Sequence, residues 1–371
     1  MLRSIFCTLL FTTSMLSGCL TTLEPTGSAC ESSSIITDAH ERFTVLTYDI
    51  SGFNDAFYTQ FSEIHGIEVE VIKVNDAGGI LELMLQTQIA PQADVVIGLD
   101  NTYLQTAIRF CLLQSHNLDN VTLIPSALES YQGPLASPFD QGDVCLNVDE
   151  RYLSQHSISS PSSLWELTQD EWHGQVAIPS PLTSSPGRAF MVATIDYFEH
   201  DEDTTTDAFD WWKAMSDNGA IFTTGWTEAY ELHYTGGYGQ WVEGHRGDAS
   251  ITVSYCHSPG VEAYFGGNST DSTSIVLPRS TFHQVEYAAI TNGATHPDLA
   301  KSFIEYILEP EVNLLMPELN YMASVLPEGS WPESNGYGYH VDEPLQNANI
   351  SIERIDQEME SWLTQWIVAT S

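Results

Sequence analysis

Ala93-Asp94-Val95-Val96-Ile97-Gly98-Leu99-Asp100-Asn101 is a short apolar run closed at both ends by polar residues. A run of this length, β-branched and without polar alternation, reads as a strand covered on both faces, as in parallel sheets. A helical pattern, Thr102–Leu113, follows at once. Upstream lie strand Glu68–Val74 and helix Gly78–Gln88, with Asp76 at an N-cap position. Strand Phe43–Tyr48 and a helical stretch Asn54–His65 precede those. Three β-α units in succession specify a parallel sheet with right-handed crossovers. In such sheets ligands gather at the carboxyl ends of the strands, which is where Asp100 and Asn101 fall.

The pattern changes at Pro138-Phe139-Asp140-Gln141-Gly142, where a second α/β unit begins. It holds strand Val176–Ser180, a helix opening at Ser184-Ser185-Pro186-Gly187, helix Asp207–Asp217, and strands Ala220–Thr223 and Ser250–Tyr255. Proline just inside a serine cap is a helix-start signal. Strand Val285–Ile290 leads back into helices Pro297–Leu308 and Pro310–Met316. A last amphipathic helix, Ile352–Ile367, carries Met359, Trp362 and Trp366 as a core stripe. There is no internal repeat. The order implies two lobes, 43–139 with 285–371 and 140–284, joined by crossings near Phe139–Val144 and Phe282–Tyr287.

Fifty acidic residues stand against eleven basic ones, a formal net charge of −39. Such a surface repels phosphate backbones, which excludes nucleic acid as a partner. It also steers cations, although most of the charge is spread along the chain and reads as hydration of an exported protein. The chain opens with Arg3, an apolar run Ile5–Leu16 and then Leu16-Ser17-Gly18-Cys19. This reads as a signal peptide over 1–18 with a lipoprotein cleavage site, leaving Cys19 lipidated and 19–42 as a tether. Membrane contact is expected through that lipid alone, on the outer face of the cytoplasmic membrane, because no later run reaches the ~18 apolar residues of a span. Cys30, Cys111, Cys145 and Cys256 remain in an oxidising compartment. A Cys111–Cys145 disulfide is one expectation, left open by the sequence. No Cys-x-x-Cys or His-x-x-x-His spacing marks a metal site.

Several blocks stand together in fixed order. They are Thr47-Tyr48-Asp49, the Ala93–Asn101 run, Pro138-Phe139-Asp140-x-Gly142 and Pro181-Leu182-Thr183-Ser184-Ser185-Pro186-Gly187. Gly225-Trp226-Thr227-Glu228-Ala229-Tyr230, Ser254-Tyr255-x-x-Ser258-Pro259 and Gln284-Val285-Glu286 follow. In these the chain resembles the thiamine-binding proteins of thiamine ABC importers, from about Phe43 to the C-terminus. The resemblance implies an α/β, two-lobe periplasmic-binding-protein type II fold with two hinge crossovers. It implies a monomer without cofactor or catalytic residues that binds thiamine or a thiamine phosphate and passes it to an ABC permease. The family's binding positions fall on Asp76, Ala77, Ser184, Ser185, Trp226, Tyr255, Cys256, His257 and Ser258. The chain departs from the family at Ala77 in place of glycine, Cys256-His257 in place of small hydroxyl residues, Tyr321 in place of tryptophan, and Val261 in place of an aromatic.

The residue types suit such a ligand. Tyr48, Trp226, Tyr255 and Tyr321 offer faces to a thiazolium, each cation–π contact being worth ~0.5–2 kcal/mol once desolvated. Asp49, Asp76 and Asp100 are carboxylate candidates, and Ser184-Ser185 at a helix start suits a hydroxyl or phosphate tail. Each has a plainer reading: Trp226 as lobe packing, Asp76 and the two serines as caps, Asp100-Asn101 as a strand end. Gln284 and Glu286 read as hinge or structural residues. Two other functions stay open, a ferric-iron or other solute carrier of the same fold, and a thiaminase-like enzyme with Cys256 as nucleophile beside His257.

Overall fold

The computed structural model describes residues 30, 42–48, 50, 53–118, 121–201, 205–237, 247–331 and 346–371. Cys19, Asp49, and the segments expected to be a signal peptide and, but for Cys30 and Arg42, a tether lie outside them. The strands are β1 (Arg42–Thr47), β2 (Glu68–Lys73), β3 (Val95–Asp100), β4 (Leu113–Gln114), β5 (Ser137–Asp149), β6 (Val176–Pro179), β7 (Ile221–Thr223), β8 (Ile251–Tyr255), β9 (Ser272–Ile275), β10 (Phe282–Thr291) and β11 (Ala323–Ser324). The helices that position the site are α1 (Asp55–His65), α2 (Ala77–Gln86), α3 (Leu104–Arg109), α4 (Ser185–His200), α5 (Ala208–Asp217), α6 (Ser258–Phe265), α7 (Pro297–Ile307) and α8 (Ile352–Thr370).

β1 runs parallel to β2 and β3, as the β-α alternation requires. Every residue of β3 is buried. Its side chains alternate between two cores: Val95 and Ile97 join Phe43, Phe61 and Phe303 on one face. Val96 and Leu99 join Leu46, Ile80 and Leu104 on the other. A third core, around Val144, Phe190, Trp211, Trp212 and Val253, belongs to the second unit. Separate cores on either side of two crossing strands define two halves.

Two separate sheets do not form. Hydrogen bonding runs in one order, β2-β1-β3-β10-β5-β8-β6-β7, because the crossing strands pair with each other. β5 and β10 are antiparallel from Phe282↔Val144 to Ala288↔Ser137. β10 then continues onto β3, and β5 onto β8 and β9. The crossings expected at Phe139–Val144 and Phe282–Tyr287 are thus neighbours in one ladder.

Two further expectations are corrected. The last helix does not pack with 285–331. α8 buries Ile355, Met359, Trp362 and Trp366 in the core of the second half. Trp366 lies 6.0 Å from Trp212 and 5.4 Å from Phe222, since an indole stripe finds its aromatic partners there. Asp356 reaches back, accepting from Thr106 and Arg109 of α3. Nor do Cys111 and Cys145 pair: Cys145 is bonded to Cys256 across 111 residues, with Cα atoms 5.0 Å apart, and Cys111 is held in a different disulfide. The β5–β8 ladder brings Cys145 opposite Ser254, two residues from Cys256.

Candidate functional site

A cleft of about 1450 Å³ opens over the crossing strands, lined from both halves. Pockets that hold a drug-sized molecule run to about 1,000 Å³, so there is room here for such a ligand and water. Of the residues singled out from sequence, Tyr48, Asp76, Ser185, Trp226, Tyr255, His257, Ser258 and Tyr321 line it. Ala77, Ser184 and Cys256 do not. Ala77 is buried in the core and offers only its N–H, to Asp76. Ser184 is fully buried, and Cys256 is taken up by its disulfide.

Glycines make room for two of these side chains. Gly98 is an extra residue in β3, skipped in its pairing with β10, and has φ +100°. A Cβ there would stand 2.4 Å from the Tyr48 ring, so the bulge and the close approach both call for glycine. Gly142 of β5 does the same for His257, whose Cε1 would be 2.7 Å from an added Cβ.

Trp226 stacks on Tyr230 at 4.7 Å and 16°, and its indole N–H donates to Ser254 Oγ at 2.8 Å. Behind it, the Tyr230 hydroxyl donates to the buried Glu262 at 2.6 Å. Burial pushes Glu262 up to about 8. Across the cleft wall, Tyr255 packs on His257 at 5.2 Å and His257 on Trp331 at 4.6 Å. Ser258 Oγ accepts from the Tyr255 N–H, pinning the turn into α6.

Asp76 lines the cleft floor, whereas Asp100 does not line it and is fully buried. Asp76 Oδ1 accepts from Ala77 N–H at 2.7 Å and from Ser185 N–H at 3.1 Å, so one side chain from the first half caps α2 and also α4 of the second. Ser184, the expected cap of α4, makes no cap bond. Beside it Ser185 Oγ donates to Asp100, whose other oxygen accepts from the N–H and hydroxyl of Thr102. Burial raises Asp76 to about 7 and Asp100 to about 6. Arg188 lies 3.9 Å over the Tyr103 ring. Through these contacts the halves touch across the cleft.

Sequence reading missed the cleft role of Glu286. Its carboxylate lines the cleft, accepting from Tyr48 Oη at 2.6 Å and Gln284 Nε2 at 3.2 Å. Gln284 also donates to Tyr255 Oη at 3.0 Å. The two-residue spacing of Gln284-Val285-Glu286 puts both polar side chains on one face of a strand, a signal that was available. Asp49 lies outside the described residues.

Two halves sharing one pair of strands, with a cleft seated on them, is the construction of type II periplasmic binding proteins. The chain belongs to the bacterial extracellular solute-binding protein family, whose profile matches residues 56–326. It is 24% identical over 337 residues to the thiamine-binding periplasmic protein of Salmonella typhimurium, covering 88% of this chain and 93% of that one. With the protein of that name from Escherichia coli it shares 23% over the same coverage. Among solved structures it is similar to a periplasmic thiamin binding protein, with a TM-score of 0.72 and 23% identity over 91% of this chain and 99% of the other. It is also similar in fold to iron-bound HitA from Pseudomonas aeruginosa, with a TM-score of 0.65 and 15% identity over 89% and 99%. No helix among the described residues is long and apolar enough to cross a membrane.

Proposed function

We propose that this protein is an extracytoplasmic carrier that binds thiamine in the cleft and delivers it to an ABC permease, held to the membrane by a lipid on Cys19. The observation that carries this is the joining of aromatic faces, Trp226 and Tyr255, with carboxylates that have few cations to balance them. Lys73 and Arg188 are the basic lining residues, against Asp76, Glu82, Glu228, Glu231 and Glu286. A flat cation satisfies both at once, through stacking and cation–π contact beside carboxylates that its charge can balance. Tyr48, Asp76, Ser185, His257, Ser258 and Tyr321 complete the contact set, with the Ala77 N–H and Ser184 acting through the fold around Asp76. The names of the relatives agree with this ligand. Because the Ser185 N–H is spent on Asp76, the unphosphorylated vitamin is the tighter ligand in this reading.

One observation favours a ferric-iron carrier: two phenols, Tyr48 and Tyr255, line the cleft. Each is already hydrogen-bonded to the protein, and burial raises both above their ordinary range, against the phenolate that iron needs. Among the described residues no group of three His, Cys, Asp or Glu is placed to hold a metal ion. A thiaminase-like reaction through Cys256 lacks its thiolate, the sulfur being bonded to Cys145. Calorimetric titration with thiamine, thiamine pyrophosphate and ferric citrate tests the reading. Saturable one-to-one binding of thiamine, tighter than its pyrophosphate, supports it, and binding of ferric citrate alone would replace it.

A further inference from the structure

We infer that Asp140 and Glu286 together hold one proton in the ligand-free protein, and that a bound cation expels it, with Glu286 serving as the counter-charge that selects a positively charged solute. This rests on the cationic ligand proposed above and adds an exchange that nothing in that reading requires. The two residues face each other on the crossing strands, Glu286↔Asp140, with Phe139 skipped as a bulge. Side chains directly opposite in an antiparallel pair lie within ~5 Å at Cβ, and like charges there repel. Asp140 is fully buried and Glu286 is 4% exposed.

Among the described residues neither carboxyl has a basic partner. Glu286 accepts from Tyr48 and Gln284. Asp140 Oδ2 accepts from Asn320 Nδ2 at 2.6 Å, while Oδ1 is buried with no hydrogen-bond partner. Of the other charged groups facing the pair, Asp76 and Asp100 add negative potential at Glu286. Arg188 acts on Asp100 and Tyr103 instead. Tyr48 and Tyr255 are neutral phenols, raised by burial, and His257 is stacked on Tyr255. Lys73, Glu82, Glu228 and Glu231 line the cleft without being among the groups that act on Glu286 or Asp140. Burial first, and then the neighbouring carboxylates, lift Glu286 well above its usual range; burial lifts Asp140 to about 7. Two such groups with nothing to balance them share a proton.

Only Glu286 of the two lines the cleft. A cation entering therefore meets Glu286, stabilises its ionised form and sends the proton to bulk water. The pair goes from one negative charge to two as one positive charge arrives, so charge balances. A neutral isostere cannot drive this step and meets a floor already neutralised in part.

The test is thiamine calorimetry in two buffers of different ionisation enthalpy, on wild type, D140N and E286Q. Wild type should release about one proton per thiamine near pH 7, and its Kd should weaken by up to about tenfold per pH unit below that. In D140N Glu286 ionises without its rival, so the proton count should fall by about one while thiamine still binds. E286Q should weaken binding at least tenfold. A wild-type count of zero, or a D140N count equal to wild type, overturns the inference and leaves thiamine binding standing. If thiamine does not bind at all, the proposed function falls, and infrared spectra of the ligand-free protein decide the proton: a protonated-carboxyl band that D140N removes supports the shared proton, and no difference overturns it.

Discussion

Replacing Trp226 by alanine isolates the largest aromatic contribution to the cleft. One face of the indole is covered by Tyr230 and its N–H is held by Ser254, so the ring's orientation is set before ligand arrives. Removing a desolvated cation–π interaction costs ~1–2 kcal/mol. The ring also shields about 50 Å² of apolar ligand surface from water, worth ~1.2 kcal/mol at 25 cal/mol per Å². Against this, the truncation uncovers the Tyr230 ring, which restores part of an aromatic face and offsets ~0.5–1 kcal/mol. The net is ~2 kcal/mol, or about a 30-fold rise in the thiamine Kd. Trp226→Phe keeps a face and loses the hydrogen bond to Ser254, a neutral bond worth ~1 kcal/mol, so its Kd should rise about fivefold. Isothermal titration calorimetry reads both, with circular dichroism confirming the fold. A W226A protein that is folded and binds within twofold of wild type would refute the assignment and return Trp226 to packing.

Three other outcomes are expected. Glu262 sits at about 8, Asp76 and Asp140 at about 7 and Asp100 at about 6, all raised chiefly by burial, so the folded chain binds more protons than the unfolded one between about pH 4 and 8; stability therefore rises as pH falls through that window, and Tm at pH 5 should exceed Tm at pH 8 by about 5 °C or more in differential scanning calorimetry, while a Tm that climbs with pH would contradict the burial of these groups. Cys145→Ser with Cys256→Ser opens a loop closed over 111 residues and should cost about 2–4 kcal/mol in urea unfolding, whereas wild type incubated with thiamine and aniline should release no thiazole by chromatography; an unchanged midpoint or free thiazole would count against the structural role given to this bond. Cys19→Ser should move the protein from the membrane fraction to the soluble extracytoplasmic fraction, and equal membrane retention on immunoblots would rule out the lipid.

The sequence disclosed most clearly what local patterns control. The β3 run, the Asp76 cap and the serine-proline start of α4 depend on neighbours within a few residues, and all three form where read. Asp76 exceeded its reading because a second helix, from the other half, comes to the same carboxylate, and no local signal encodes that meeting. The Cys145–Cys256 bond likewise depends on the β5–β8 register, across more than a hundred residues. α8 had a legible stripe, but an apolar stripe names no partner, and the aromatic rings waiting at Trp212 and Phe222 decide where it docks. Gly98 looked like one residue of a strand, yet its need lies in the Tyr48 ring, at the end of the neighbouring strand β1 and fifty residues earlier in the chain.

The order of strands has a consequence for how the molecule is assembled. β10 lies between β3 and β5, so the sheet of the first half has a gap at its centre until residues 282–291 have been synthesised. The second half is contiguous from Asp140 to Gln284, yet its core waits for the indoles of α8, at Ile352–Thr370. Neither half can close its core early during translation, and each is completed by a segment made after the other is well under way. Late, long-range closures of this kind slow folding, because loop entropy is spent before the contacts form. They also tie the two halves into one cooperative transition, so partial unfolding of one lobe alone should not be populated at equilibrium. For a chain that crosses a membrane unfolded, such a delay keeps it threadable for as long as the crossing takes.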